Sequence, residues 1–375
     1  MDSISRAATA MASMSSAIAH GGRLIEARRA FPDAPAPFID LSTGINPNPY
    51  PVGPLAPELF NRLPEPETLD TLQQVAAAAY RASDPAMVVA APGTQILISL
   101  LPHLLGLKHA TILGPTYAEH EAAWRGATAN VAVTTSLDAF VETARTAGGV
   151  AILCNPNNPD GRICDRQTLL NLASDMAHQD GFLICDEAFA DLEAPDPGLA
   201  RHLPHPGLMI LRSFGKSYGL AGLRLGFLLA SPAHAHPVRQ ALGNWAVSGP
   251  ALATGIAALR DTEWRYATCR NLQDSCQRLD AMLERTGFAC AGGTRLFRLF
   301  RSRDAQPLFR LLCEAGILTR RFSHDPDLLR FGIPACEAQW LRLQEALLSG
   351  YSQNKTDNEN VIEAAQAVWP PLAIL

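Results

Sequence analysis

The segment Leu211-Arg212-Ser213-Phe214-Gly215-Lys216-Ser217-Tyr218-Gly219-Leu220-Ala221-Gly222-Leu223-Arg224-Leu225-Gly226 sets one lysine and, eight residues on, one arginine in a run of small residues. A lysine amine becomes a nucleophile at neutral pH only when burial or a neighbouring cation depresses its pKa. Arg224 supplies such a field, and its guanidinium also matches a phosphate with two parallel donors. The glycines at 215, 219, 222 and 226 let the backbone come close to a ligand. Amine chemistry beside an anchored phosphate is the reaction type that suits this pattern. A lone lysine in such a loop would be an ordinary surface residue; the whole string argues otherwise.

Other groups with chemical meaning follow apolar stretches. Asn155-Pro156-Asn157-Asn158-Pro159-Asp160-Gly161 comes after Val150–Cys154, and by itself would be no more than a turn. Ile184-Cys185-Asp186-Glu187-Ala188-Phe189 puts an acid at the end of another apolar run. An enclosed acid is costly unless a cation joins it. Gly93-Thr94-Gln95 opens a helical pattern, where free backbone N–H groups can hold a phosphate. Tyr117 stands in Gly114-Pro115-Thr116-Tyr117.

The elements that must position these residues alternate. Strands are expected at Met87–Ala91, Thr111–Leu113, Val131–Val133, Val150–Cys154, Phe182–Cys185, Leu208–Arg212 and Leu225–Ala230. Most lack in/out alternation, as strands covered on both faces do. Helical patterns such as Leu69–Tyr80, Thr94–Leu105 and Arg166–Gln179 separate several of them. This is the βαβ signature of an α/β, mainly parallel sheet, with ligands expected beyond the carboxyl ends of the strands. After about residue 250 a long helical segment, Ala251 to Thr286, leads into short strands near Arg295–Phe300 and Ile317–Arg321, which suggests a smaller α+β domain.

The string around Lys216 resembles the pyridoxal-phosphate enzymes of fold type I, the aspartate aminotransferase fold, and within them the histidinol-phosphate aminotransferase branch. That resemblance implies a large domain with a mainly parallel seven-stranded sheet, and a small C-terminal domain. It implies that Lys216 bonds covalently to the cofactor, and that Arg224, Ser213 and the Gly93-Thr94-Gln95 backbone hold its phosphate. It further implies that Asp186 pairs with the pyridine nitrogen, Asn158 donates to the ring oxygen, and Tyr117 stacks on the ring. Three positions depart from the family pattern. Asp160 stands where Thr is usual, and Phe189 where Tyr often bonds the ring oxygen. Gly215 stands where a Ser or Thr often adds a phosphate hydroxyl.

The N-terminal residues narrow the branch. His20-Gly21-Gly22 followed by Phe38-Ile39-Asp40-Leu41-Ser42-Thr43-Gly44-Ile45-Asn46-Pro47 resembles the threonine-phosphate decarboxylases of cobalamin biosynthesis. On that likeness His20, Gly21, Asn46, Arg320 and Arg330 bind a phosphorylated amino-acid substrate. Arg330 in Leu329-Arg330-Phe331-Gly332-Ile333 takes the α-carboxylate, and either Arg320 or Arg321 faces the substrate. The implied reaction converts L-threonine O-3-phosphate to (R)-1-amino-2-propanol O-2-phosphate with loss of CO2. An aminotransferase acting on histidinol phosphate or a related amino acid is the alternative, and a non-catalytic protein on the same fold is a third. Fold type I members are usually homodimers. The aminotransferase's cross-subunit tyrosine, however, is Leu63 in Asn61-Arg62-Leu63-Pro64.

Composition excludes other classes. With 31 Lys+Arg against 36 Asp+Glu and no long basic run, non-specific nucleic-acid binding is not expected. The longest apolar run, Ile96 to Leu107, is too short for a membrane span. The eight cysteines are spread without a Cys-x-x-Cys pair and read as reduced thiols in a cytoplasm; no metal site is expected. Residues 1–19 read as a flexible arm, and 20–46 as a segment packing with the small domain. Residues 47–250 read as the large cofactor-binding domain, 251–350 as the small domain and 351–375 as a tail.

Overall fold

A computed structural model describes residues 21–127 and 130–353. The expected arm, His20 and most of the expected tail lie outside the described residues. The chain divides into two compact units. One comprises Met1–Thr43, Gln277–Ala291 and Leu299–Leu375; the other comprises Gly44–Cys276 and Gly292–Arg298.

Strand β1 (Ile39–Asp40) lies in the first unit. The strands β2 (Val88–Ala91), β3 (His109–Leu113), β4 (Asn130–Thr134), β5 (Val150–Cys154), β6 (Phe182–Asp186), β7 (Leu208–Ser213) and β8 (Gly226–Ala230) build the second. These seven form one sheet in the order β2-β8-β7-β6-β5-β3-β4. Five of them, β3 to β7, run parallel, while β8 is antiparallel to both its neighbours. All seven expected strands are present. Met87 falls out, into a short 3-10 turn, Pro85–Met87, and Leu225 stands just before β8.

Alternate residues of each strand serve two different cores. Val88, Ala90, Leu153, Cys185, Ile210 and Phe227 belong to one. Val89, Ala91, Ile152, Ile184, Leu211 and Leu228 belong to the other. The helices Pro66–Tyr80, Arg166–Ala177 and Gly249–Arg260 cover the first face through Leu72, Leu169 and Leu252. Thr94–Leu105, Ala118–Ala127 and Pro232–Leu242 cover the second through Leu97, Trp124 and Val238. Both faces are dry, so both must be apolar, which is why the sequence shows runs and not alternation.

The expected helix Ala251–Thr286 is in fact two, Gly249–Arg260 and Thr262–Glu284. The chain breaks at Asp261, whose carboxylate accepts the Trp264 N–H at 2.9 Å and so starts the second helix. The boundary between the units lies inside that helix, between Cys276 and Gln277 and not at residue 250. Ala251, Leu252, Ala258 and Leu259 explain this, since they are buried in the core of the large sheet.

In the first unit β1 pairs in parallel with β11 (Ile317–Leu318). A four-stranded sheet runs β12-β13-β10-β9, made of β9 (Ala289–Thr294), β10 (Phe297–Arg301), β12 (Arg320–Arg321) and β13 (Leu328–Gly332). The expected strand Ile317–Arg321 is therefore two short pieces in different sheets, divided at the buried Thr319. Strand β9, with two glycines at 292 and 293, was not foreseen.

One buried ionic group sits within the large unit. Arg212 on β7 is 3% exposed and pairs with Glu187 at 2.7 Å and Asp191 at 2.6 Å. Its guanidinium lies 5.1 Å from the Tyr80 ring centre. Burial pushes Glu187 up to about 7, against the pull of Arg212. Replacing one member of such a group strands the others. We predict that Arg212→Met lowers unfolding stability by about 3–5 kcal/mol at neutral pH. The loss should shrink as pH falls below the Glu187 value, because the stranded carboxyl is then neutral. Urea unfolding at several pH values measures both.

Candidate active site

Parallel strands that start in register also end in register. Cys154 pairs with Asp186, and Asp186 with Leu211, so the carboxyl ends of β5, β6 and β7 lie side by side. The loops that follow carry Asn158, Asp186, Ser213 and Lys216.

A candidate phosphate cradle forms where β2, β8 and β7 meet. Gly226 is the register partner of both Ala91 and Ser213. A Cβ on Gly226 would stand 2.6 Å from the Thr94 nitrogen, and one on Gly93 would stand 2.5 Å from Arg224 Nη2. The N-terminus of the helix Thr94–Leu105, Ser213 and the Arg224 guanidinium thus converge on a space that only glycines leave open. Gly93 has φ 85° and ψ 162°, a conformation nearly restricted to glycine. Arg224 is exposed, with Nη1 donating to Ala221 O at 3.0 Å. These donors fit the phosphate of pyridoxal phosphate. Gly215, where the resemblance led to the expectation of a hydroxyl, has a reason to be bare: a Cβ there would come within 2.8 Å of Ala221 Cα.

Beside the cradle, Lys216 Nζ lies 4.3 Å from the centre of the Phe189 ring and 5.9 Å from that of Tyr117. Phe189 is buried and meets Phe297 edge to face at 5.0 Å. A tyrosine there would offer a hydroxyl; here the ring only lines the space around the amine. Asn46 is 2% exposed and holds the lysine turn. Its N–H donates to Lys216 O, its Nδ2 to Ser217 O, and its Oδ1 accepts the Asn48 N–H. The Asn46 carboxamide, expected at the substrate, is bonded to the Ser217 carbonyl and the Asn48 N–H.

Asp186 is 2% exposed and its Oδ2 lies 2.9 Å from His120 Nε2, while Oδ1 accepts the Ala188 N–H. Burial pushes this carboxyl up, but the His120 bond and the His120 and Lys216 charges hold it below its ordinary value. For His120, burial pulls down, yet its bonds to Asp186 and Cys154 carry it to about 10. The ligand atoms of His120, Cys154 and Asp186 lie within 4.8 Å of one another. His120 escaped the sequence reading. Its spacing of three from Tyr117, at the start of a helix, was the available sign.

Tyr117 donates to Gln95 Oε1 at 3.0 Å and meets the His120 ring edge to face. Burial pushes its phenol up to about 12, so it remains a donor. The Gln95 side chain is thereby engaged with Tyr117 and, through Nε2, with Glu119. In the Asn155–Gly161 turn the buried scaffold is Asn157. It accepts from Thr116 Oγ1 at 2.7 Å and donates to Pro115 O and Asp160 Oδ1. Asp160, the departure from Thr, also accepts the Arg162 N–H and so closes the turn itself. Asn158 is half-buried on this turn.

The remaining expected residues belong to the first unit. A Cβ on Gly21 would stand 2.5 Å from Ser42 O, and the Gly22 N–H donates to Ser42 Oγ at 2.7 Å. Arg330, 6% exposed, donates to Ser42 O at 2.7 Å. Arg320 is the register partner of Arg330 across β12 and β13. Arg321 points to the opposite face, over the Phe309 ring at 4.1 Å and bonded to Gln306. Arg320, and not Arg321, therefore shares a face with Arg330.

Two predictions follow from this geometry. Gly93→Ala forces a strained backbone and displaces Arg224, so apoprotein should bind pyridoxal phosphate about tenfold more weakly by fluorescence titration. Unchanged affinity would contradict the cradle. His120 has a folded pKa of about 10, above the roughly 6.5 of an unfolded histidine. Its contribution to stability is complete below the unfolded value and lost as pH rises through the folded one. His120→Asn should therefore lower Tm most in mildly acidic buffer and least at alkaline pH. A constant offset would refute the pairing.

Most of the chain is similar to known proteins. The family model for aminotransferase class I and II matches residues 37–345. The chain is 40% identical over 337 residues to a threonine-phosphate decarboxylase of Sinorhizobium sp, covering 89% of this chain and 98% of that one. It is 39% identical over 329 residues to the threonine-phosphate decarboxylase of Pseudomonas aeruginosa, covering 88% and 97%. In fold it is similar to the histidinol-phosphate aminotransferase of Sinorhizobium meliloti in complex with pyridoxal-5'-phosphate. That match has a TM-score of 0.75 at 19% identity, over 90% of this chain and 96% of that one. The match of fold and of most of the chain's length makes this protein a member of the class I and II aminotransferase family.

Proposed function

We propose that this chain is a pyridoxal-phosphate-dependent decarboxylase that converts L-threonine O-3-phosphate to (R)-1-amino-2-propanol O-2-phosphate, a step of cobalamin biosynthesis. The observation that carries the reading is its 40% identity to a threonine-phosphate decarboxylase along 98% of that protein's length. The arrangement of Lys216, Asp186 and the Gly93–Arg224 cradle supports it.

When bound, pyridoxal phosphate supplies a ring that takes up the electron pair left when a bond at the substrate Cα breaks. The rest falls to the chain's own side chains. Arg224, Ser213 and the N–H groups at Thr94 and Gln95 hold the phosphate. Asp186, kept anionic by His120, holds a proton on the ring nitrogen. Asn158 donates to the ring oxygen, and Tyr117 lies against the ring face. Lys216 Nζ anchors the cofactor and, after CO2 has left without its bonding pair, returns a proton to Cα. Phe189 and Tyr117 shield that amine from water. The resemblance assigns the substrate's anions to Arg330 and Arg320 and names His20 and Gly21 as further substrate residues.

The protein is proposed to act as a homodimer in the cytoplasm. Phe60 and Leu63 are 69% and 64% exposed, and apolar surface of this kind favours a covered face. All eight cysteines are free thiols, which suits a reducing compartment. Among the described residues no helix is long and apolar enough to cross a membrane.

The test is direct. Purified protein with pyridoxal phosphate and O-phospho-L-threonine should release one CO2 per substrate consumed. Lys216→Ala should turn over on the order of a thousandfold more slowly. Glutamate formed from 2-oxoglutarate with histidinol phosphate, without CO2 from phosphothreonine, would make the chain an aminotransferase instead.

A further inference from the structure

Arg330 is held by a segment almost three hundred positions away in the chain. It is buried, and its Nη2 donates to Ser42 O at 2.7 Å. The segment that carries Ser42 is itself fixed on two sides. Ile39 and Asp40 pair with Ile317 and Leu318, and the Leu41 N–H donates to Leu318 O at 2.8 Å. On the other side the Gly332 N–H donates to Leu41 O at 2.7 Å. A Cβ on Gly332 would stand 2.7 Å from Thr43 O, so the two backbones meet closely. Residues 39–43 thus run between β11 and β13 and bring a main-chain oxygen to Arg330.

Side chains then lock Ser42. It is fully buried, and its N–H and hydroxyl donate to the same oxygen, Asp40 Oδ1, at 2.8 and 2.6 Å. Its Oγ also accepts the Gly22 N–H at 2.7 Å. Short polar side chains that bond nearby backbone groups in this way fix local conformation. With N–H and hydroxyl both engaged, Ser42 has little freedom to turn its carbonyl away from Arg330. Asp40 acts a second way. Burial and then Arg320 lower the pKa of Arg330 to about 9, and the Asp40 charge opposes them. A bidentate grip on a carboxylate depends on the plane of the guanidinium, and an acceptor on Nη2 restrains that plane.

We propose that Asp40 and Ser42 are positioning residues for Arg330, holding its guanidinium in the plane that grips the substrate's α-carboxylate. The inference rests on the proposed function, which gives Arg330 that carboxylate, and adds two residues to it. Both act through Arg330, so their effect falls on ligands that carry a carboxylate and spares those that lack one.

The experiment is isothermal titration of cofactor-loaded Lys216→Ala protein, in which turnover is slow. The ligands are O-phospho-L-threonine and (R)-1-amino-2-propanol O-2-phosphate, which lacks only the carboxylate. Adding Asp40→Ala should raise Kd for phosphothreonine about tenfold, the scale of one charged hydrogen bond, and leave Kd for the amine within about twofold. Asp40→Asn, which keeps an acceptor for Ser42, should recover most of the loss. If Asp40→Ala does not fold, Ser42→Ala carries the same comparison. Equal weakening of both ligands, or no change in either, would overturn the proposal. Absence of CO2 release by the wild-type protein would count against the functional reading instead. L-glutamate and histidinol phosphate are then the pair with and without a carboxylate, and the same comparison decides the role of Asp40.

Discussion

A carboxylate buried at the end of a central strand is the constraint around which the large unit is organised. Asp186 is 2% exposed, and an isolated anion there would take up a proton and go neutral. It remains an anion because His120 meets it at 2.9 Å and the Ala188 N–H and Lys216 charge assist. That requirement fixes much else. His120 must come from the helix start after Tyr117. Cys154, on the neighbouring strand, must leave room for the imidazole. Tyr117 is set by Gln95, which opens the helix of the phosphate cradle. One buried charge therefore links the residues proposed for the ring to those proposed for the phosphate.

The next residue meets the same problem with the opposite outcome. Glu187 is fully buried and pairs with Arg212, the neighbour of Ser213. Consecutive strand residues face opposite sides, so Asp186 and Glu187 send their charges into different surroundings. On one side the acid meets His120 and stays charged. On the other a guanidinium and two carboxylates lock the strand ends that carry it. The second group contributes no reacting atom, yet it holds β6 and β7 at the level where Asp186 and Ser213 must stand.

The fold was legible because the strands of a doubly covered sheet are continuous apolar runs, and Val150–Cys154 and Thr94–Leu105 carry their limits in their residues. The residues proposed for the cofactor could be picked out because they lie in short local strings. What stayed hidden depends on contacts between distant segments. Nothing near His120 announces its bond to Asp186, sixty-six positions away. The break at Asp261 hides within a helical pattern, since aspartate starts a helix as readily as it sits on one. Strand β9 is rich in glycine and offers little β propensity, so only pairing reveals it.

The departures from the family pattern show how local geometry absorbs change. Asp160 replaces a threonine and supplies an acceptor for Asn157 and for the Arg162 N–H, so the turn bearing Asn158 keeps its closure. Gly215 gives up a hydroxyl, but its missing Cβ lets residue 221 approach and bring Arg224 toward the cradle. Phe189 gives up another hydroxyl, and its ring stands 4.3 Å from the lysine amine. Phe189 thus sets an apolar ring, in place of a hydroxyl, against the lysine amine.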